Sequence, residues 1–227
     1  MGSEMCIRDR DTVRLCHKYR IPVTVFFMIG LAKENFKTIE ETYRLWDKLC
    51  SLDRLALSEG VFEEIERHVP IAGPIMGHMV FLDPGSLAFD YPDKYGYRLL
   101  FKTIEDHIEG LSMPSWHQRF NYETKLLSKD MLVDLIYKST EFVIDRREKY
   151  RLLKPREIFI QRLELNIDKA IKEEVDRIMR LKNEKMREKR LRALKDVIES
   201  ILLRSKPTAD PYGYVDLIQE VLLKSIK

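Results

Sequence analysis

Glycine and proline are scarce, nine of each in 227 residues, which excludes collagen-like repeats and a chain built mainly of low-complexity linkers. Cysteine is scarcer still: Cys6, Cys16 and Cys50 are an odd number with no C-x-x-C or C-x-x-x-C-x-x-C spacing. They make neither a disulfide framework nor a metal motif, and read as reduced thiols of a cytoplasmic protein. No metal site is expected. Long hydrophobic runs are missing too. The longest, Ile21 to Ala32, is broken by Pro22 and Thr24 and falls well short of the roughly 20 residues that cross a bilayer. No membrane partner is expected. Nor does one sign of charge dominate, with 40 Lys and Arg against 37 Asp and Glu. What remains is 44% hydrophobic and 34% charged, too apolar for disorder and long enough to bury roughly two thirds of its unfolded surface.

The first ten residues, Met1-Gly2-Ser3-Glu4-Met5-Cys6-Ile7-Arg8-Asp9-Arg10, stand apart. Back-translated as (G)TG GGC TCG GAG ATG TGT ATA AGA GAC AG, they match the transposon-end adapter of sequencing libraries, read from a GTG start. A native N-terminal arm is the competing reading. Such a segment is set aside from fold reasoning as a fusion scar is. The expectation is a C-terminal fragment whose natural sequence begins upstream of Asp11.

Thr12 to Tyr19 reads as the end of a helix with Val13, Cys16 and His17 on one face, closed by Arg20. Ile21 to Gly30 is a nearly continuous β-branched and aromatic run, the pattern of a strand buried on both faces in a parallel sheet. A helix follows from about Phe36 to Leu49, with Ile39, Tyr43, Trp46 and Leu49 at helical spacing. A short helix at Val61 to Val69 and a turn at Pro70 to Gly73 lead to a second strand, Ile75 to Leu82. It stops at Asp83-Pro84-Gly85-Ser86, where Pro84 cannot donate to a ladder. Tyr91 to Tyr97 is an aromatic-rich loop. From Thr103 onward the pattern is almost wholly helical: Ile104 to Leu111, Ser115 to Phe120, Ser128 to Arg151, Pro155 to Arg204 and Tyr214 to Ile226. Ser128 suits an N-cap and Pro155 a first turn. Within Pro155 to Arg204, Asn183 is the one candidate break between a single long helix and two.

Charge is uneven. Asp145 to Lys206 holds 20 Lys or Arg against 12 Asp or Glu, densest from Arg180 to Arg192. Such an excess can meet a phosphate backbone. The competing reading is a solvated helix face, since Glu184 with Glu188 and Glu188 with Arg192 have the spacing of surface pairs. No RNA-binding motif accompanies the excess, so no specific nucleic-acid partner is expected.

From Thr12 to Arg151 the chain resembles the C-terminal half of radical S-adenosylmethionine enzymes, in the group whose N-terminal domain binds cobalamin. Three stretches carry the resemblance. Arg14 to Leu31 looks like the family's helix, fifth barrel strand and Gly-Leu-Pro-Gly-Glu-Thr turn, although Ala32 and Lys33 replace Pro and Gly, and Asn35 stands for Thr. Val80 to Phe89 is similar to the Pro-Gly-Ser turn after the sixth strand. Tyr91-Pro92 through Tyr97-Arg98, and Asn121-Tyr122-Glu123-Thr124, look like substrate-side elements.

The resemblance implies a [4Fe-4S] cluster and S-adenosylmethionine in the parent protein, with cobalamin as a second cofactor in this group. The three-cysteine loop lies upstream of everything present here, so the fragment alone is expected to be inactive and to bind none of these. Carried over by position, Met28, Ile29 and Gly30 are cofactor-side, with Glu34 at the turn. Their competing role is core packing and, for Glu34, a helix-dipole partner. Tyr97, Tyr122 and Glu123 are substrate-side by the same resemblance; the competing reading of Tyr122 and Glu123 is a helix–helix junction with Glu123 capping a neighbouring turn, and Trp116 and Tyr97 either line a substrate cavity or seal a core edge. His78, in mid-strand, has a ring nitrogen able to act on substrate, against a core histidine. Asp83 ends a strand where barrel enzymes place functional groups, against simple turn stabilisation.

The expected fold is α/β: terminal strands of a partial (β/α) barrel followed by an all-helical C-terminal extension, divided as 1–10 adapter-derived, 11–100 barrel and 101–227 helical. The expected function is that of the parent, reductive cleavage of S-adenosylmethionine for methyl transfer or rearrangement, on a substrate the sequence does not identify. The alternative is a helical interaction or RNA-associated protein with a basic C-terminal helix.

Overall fold

The computed structural model describes residues 2–21, 25, 27–60, 78–79 and 82–204. The chain divides into two compact units, Met1–Ala170 and Ile171–Lys227.

In the first unit, α1 (Gly2–Lys18) is followed by strand β1 (Met28–Ile29) and helix α2 (Phe36–Ser58). Strand β2 (His78–Met79) pairs parallel with β1, Met28 opposite His78 and Ile29 opposite Met79. The parallel sense is the expected one, but β1 is only two residues long and Met28 is exposed, so the strand is not buried on both faces. Two single-turn helices, α3 (Leu87–Asp90) and α4 (Pro92–Tyr95), lead into β3 (Tyr97–Leu99), α5 (Ile104–Ser112) and a 3₁₀ turn at Trp116–Arg119. β4 (Tyr122–Thr124) returns antiparallel to β3 and hands over to α6 (Lys129–Lys149) and α7 (Pro155–Met179). The unit boundary falls within α7, and α8 (Glu184–Arg204) belongs to the second unit.

Several expectations are corrected. Residues 2–10 continue the helix that carries Val13 and His17, which leaves their origin untouched. α2 does not stop at Leu49, because Asp53 and Ala56 prolong its buried stripe and Gly60 is the first glycine after it. The region after Thr103 is not wholly helical: Tyr122–Thr124 is a strand, held by a partner 25 residues upstream at Arg98 and Glu123. The fold is mixed α/β and mostly helical, and among the described residues the sheets are one parallel and one antiparallel pair, not a barrel. The expected helix at Val61 to Val69, the turn at Pro70 to Gly73, most of the second long strand and the helix at Tyr214 to Ile226 lie outside the described residues, as do residues 22–24 and 26 of the first strand; of the rest of Ile21 to Gly30 only Met28–Ile29 is strand, and Ile21, Val25, Phe27 and Gly30 are not.

Helix ends follow local chemistry. Asn35 and Thr38 form a reciprocal capping box on α2, and Thr103 with Asp106 form one on α5. Ser128 caps α6, and Arg20 and Arg151, at φ +56° and +51°, close α1 and α6 in the left-handed region. The stretch Pro155 to Arg204 is two helices. Asn183 accepts the Met186 N–H at 3.0 Å and so starts α8 after the break.

Two apolar clusters hold the first unit. One joins Ile29, Ile39, Leu82, Tyr97, Phe120 and Tyr122 to α6. The other packs Val13, Trp46, Leu49 and Cys50 against Val143 and Leu152. A polar pair is buried between α1 and α2: His17 Nε2 and Asp53 Oδ1 are 2.9 Å apart.

Candidate functional site

The C-terminal end of β1 opens into a tight loop, Gly30 to Glu34, with a carboxylate at its centre. Glu34 Oε2 accepts the Gly30 N–H at 2.6 Å and the Leu31 N–H at 3.4 Å, and the Glu34 N–H returns to the Leu31 carbonyl at 2.9 Å. Gly30 sits at φ +100°, a conformation open to glycine and strained for side chains. Glu34 is 8% exposed. Burial raises its carboxyl above the ordinary value, and the two backbone N–H groups pull the other way.

The β3–β4 hairpin braces this loop. Its register puts Tyr97 opposite Thr124 and Leu99 opposite Tyr122, so the two tyrosines share the inner face. Their rings meet edge to face at 5.2 Å. Tyr97 Oη accepts the Ala32 N–H at 3.2 Å. Gly96, at φ +85°, lets the hairpin approach: a Cβ there would lie 3.2 Å from that of Ala32. The Tyr122 hydroxyl is buried against Gly30 and has no hydrogen-bond partner among the described residues. Burial raises the Tyr122 phenol, and Tyr97 and Glu34 add to the shift. Burial likewise raises Tyr97.

Met28, Ile29, Gly30, Glu34, Tyr97 and Tyr122 are thus brought together, though not all in the expected sense. Met28 and Leu31 are exposed, while Ile29 is core. Tyr97 and Tyr122 are buried and support the loop from behind, so neither offers a substrate an open face. Glu123 is on the other face of the hairpin, where it pairs with Arg98 and accepts the Lys129 N–H at 2.8 Å at the start of α6. Asp83 is exposed, and its carbonyl takes the Ser86 N–H at 3.0 Å, the turn role. The backbone of His78 pairs beside Met28, and its imidazole lies outside the described residues. Trp116 seals a core edge: its indole N–H donates to Asp168 Oδ2 at 3.0 Å, which also accepts from Tyr137 Oη at 2.8 Å.

Asn121, in sequence simply the first residue of Asn121-Tyr122-Glu123-Thr124, is buried and reaches Leu82, three residues past β2. Its Nδ2 donates to the Leu82 carbonyl at 2.7 Å and its Oδ1 accepts the Leu82 N–H at 3.4 Å, imitating a strand partner. The only signal in the sequence was a polar residue between Phe120 and Tyr122. Tyr43, bonded to Ser139 Oγ at 2.7 Å, joins α2 to α6 beside the same cluster.

Among the described residues no three His, Cys, Asp or Glu side chains converge on one point. Cys16 is half-buried on α1. Burial, with Asp53 adding, pushes the Cys50 thiol up to about 12. A thiol held protonated is not a cluster ligand, so the described residues do not fit an iron–sulfur cluster. On α8, Arg192 pairs with Glu188 at 2.6 Å and Arg187 with Glu184 at 4.0 Å, an arrangement of ordinary surface pairs. No helix of the described residues is long and apolar enough to cross a membrane. No protein family, curated protein or solved structure matches the chain.

Proposed function

We propose that this chain is the C-terminal part of a radical S-adenosylmethionine enzyme of the cobalamin-binding group, with β1 and β2 as the last strands of its partial barrel. One observation carries the reading. Three stretches that resemble the family, far apart in sequence, meet in one apolar cluster. Gly30 and Glu34 form a loop beside it, Tyr97 and Tyr122 brace that loop, and Asn121, next to Tyr122, pins Leu82, three residues past β2. A rigid loop at the C-terminal edge of parallel strands is where α/β folds bind ligands.

In this proposal the cluster, and with it the reductive cleavage of S-adenosylmethionine, belongs to cysteines encoded ahead of Asp11, and no step of that chemistry is assigned to this chain. Its own residues hold the cofactor's edge. Glu34 fixes the loop, and the exposed Met28 and Leu31 flank it as an apolar rest for adenosine. The loop N–H groups of Gly30, Leu31 and Ala32 are already engaged, so they are not available to a ligand's acceptors.

Recovering the uninterrupted gene tests the reading. A C-x-x-x-C-x-x-C loop ahead of the first strand present here supports it. An upstream region without that triplet ends it.

A further inference from the structure

α5 is turned inside out relative to an ordinary surface helix. Ile104, Ile108 and Leu111 fall at i, i+4 and i+7, one continuous face, and they are 74%, 61% and 69% exposed. The side toward the protein carries His107 and Gly110 instead. His107 lies between the rings of Phe89 and Phe101, at 5.7 and 5.8 Å, and a Cβ on Gly110 would overlap the Phe101 ring. The orientation is therefore fixed by packing: rotating the helix to bury its isoleucines would drive a side chain into Phe101. Beside the apolar stripe, Glu105 and Glu109 form an exposed acidic shoulder, and α5 contains no Lys or Arg. An exposed apolar strip held rigidly outward marks an interaction surface.

The complementary surface is on α8. Its half-buried face carries Leu191, Leu194 and Ile198, and on its exposed side Met186 and Ala193 flank the exposed Arg190. Lys185 and Lys189, also exposed, form a basic shoulder with the same four-residue step as Glu105 and Glu109. The two shoulders share one four-residue step and are opposite in charge, and Arg190 adds to the basic side.

We propose that α5 is a docking strip for a second copy of this chain, which binds through its α8. The contact joins two different surfaces, so it is head to tail and either closes into a ring or continues beyond a dimer. The inference stands apart from the enzymatic reading and does not depend on it.

Sedimentation equilibrium of the full chain over a concentration series tests it. The weight-average mass is expected to rise with concentration beyond that of a single chain, and to fall back as salt screens the two shoulders. Ile108→Asp, at an exposed position, is expected to leave the circular dichroism spectrum unchanged and the chain monomeric. Glu105→Lys with Glu109→Lys is expected to abolish association, and adding Lys185→Glu with Lys189→Glu to the same chain to restore it. A chain monomeric at every concentration overturns the proposal. So does self-association that Ile108→Asp leaves intact, or that the charge reversals do not change. Binding to phosphatidylcholine vesicles in place of self-association overturns it as well.

Discussion

The Tyr122 hydroxyl lies so close to the Cα of Gly30 that a methyl group on Gly30 would overlap it. The two residues come from different sheets, β1's end and β4, and their contact sets the spacing between loop and hairpin. Gly30→Ala meets both this overlap and the φ of +100°, and is expected to cost about 2–4 kcal/mol in denaturant unfolding. Tyr122→Phe removes a buried hydroxyl that has no partner among the described residues. It is expected to be neutral or to stabilise by about 1 kcal/mol. The double variant is expected to lose clearly less than Gly30→Ala alone, since the overlap is gone and only the backbone strain remains. Strict additivity would show that the two residues do not touch.

Glu34 gives a pH dependence with a definite sign. Its carboxyl is raised above the ordinary 4.5 because burial outweighs the Gly30 and Leu31 N–H groups. A raised pKa means the fold binds the proton more tightly than the unfolded chain, so this contribution is full below 4.5 and is lost as pH rises through the folded value. Glu34→Gln keeps an acceptor for the loop without the charge. Its stability relative to the natural chain is expected to improve as pH climbs from 4.5 and then to level off. A difference that is flat with pH, or that slopes the other way, contradicts the account of Glu34 as a buried carboxylate.

Cysteine reactivity separates two of the thiols. Cys50 is buried on α2 with its thiol pushed up to about 12, while Cys16 is half-buried on α1. Alkylation with iodoacetamide followed by peptide mass spectrometry is expected to modify Cys16 in the folded chain and Cys50 only under denaturing conditions. Equal rates would contradict the packing of α2 on α6.

Asn183→Ala tests the break between α7 and α8. Loss of the bond to the Met186 N–H is expected to cost about 1 kcal/mol and to speed amide exchange in the first turn of α8. Unchanged exchange there would mean that the helix is not capped by this side chain.

Local signals in the sequence were enough for some of this. Ser128, Pro155 and Asn183 mark helix ends because each supplies or lacks a particular hydrogen bond at that place, and the stripe Ile39, Trp46, Leu49 marks the buried side of α2. The β3–β4 hairpin left no such mark. Its strands are three residues each and are separated by α5, so they exist only through pairing that no local pattern encodes. That is why Tyr97 and Tyr122 were legible as residues of interest while their position behind the loop was not. The same holds for His17 with Asp53, 36 residues apart, and for Asn121 with Leu82, 39 apart. Glu34 was found through the family resemblance. Its part in closing the loop on Gly30 depends on a turn that folds the carboxylate back onto the Gly30 N–H, which no local pattern encodes.

The proposed function makes this chain one part of a radical S-adenosylmethionine enzyme. The most direct measurement uses the protein encoded by the uninterrupted gene, reconstituted anaerobically with iron and sulfide and given S-adenosylmethionine and dithionite, with 5′-deoxyadenosine measured by chromatography. The account predicts cluster absorbance and 5′-deoxyadenosine from the intact protein, and neither from residues 11–227 alone. An intact protein that assembles no cluster, or assembles one and forms no 5′-deoxyadenosine, would contradict it.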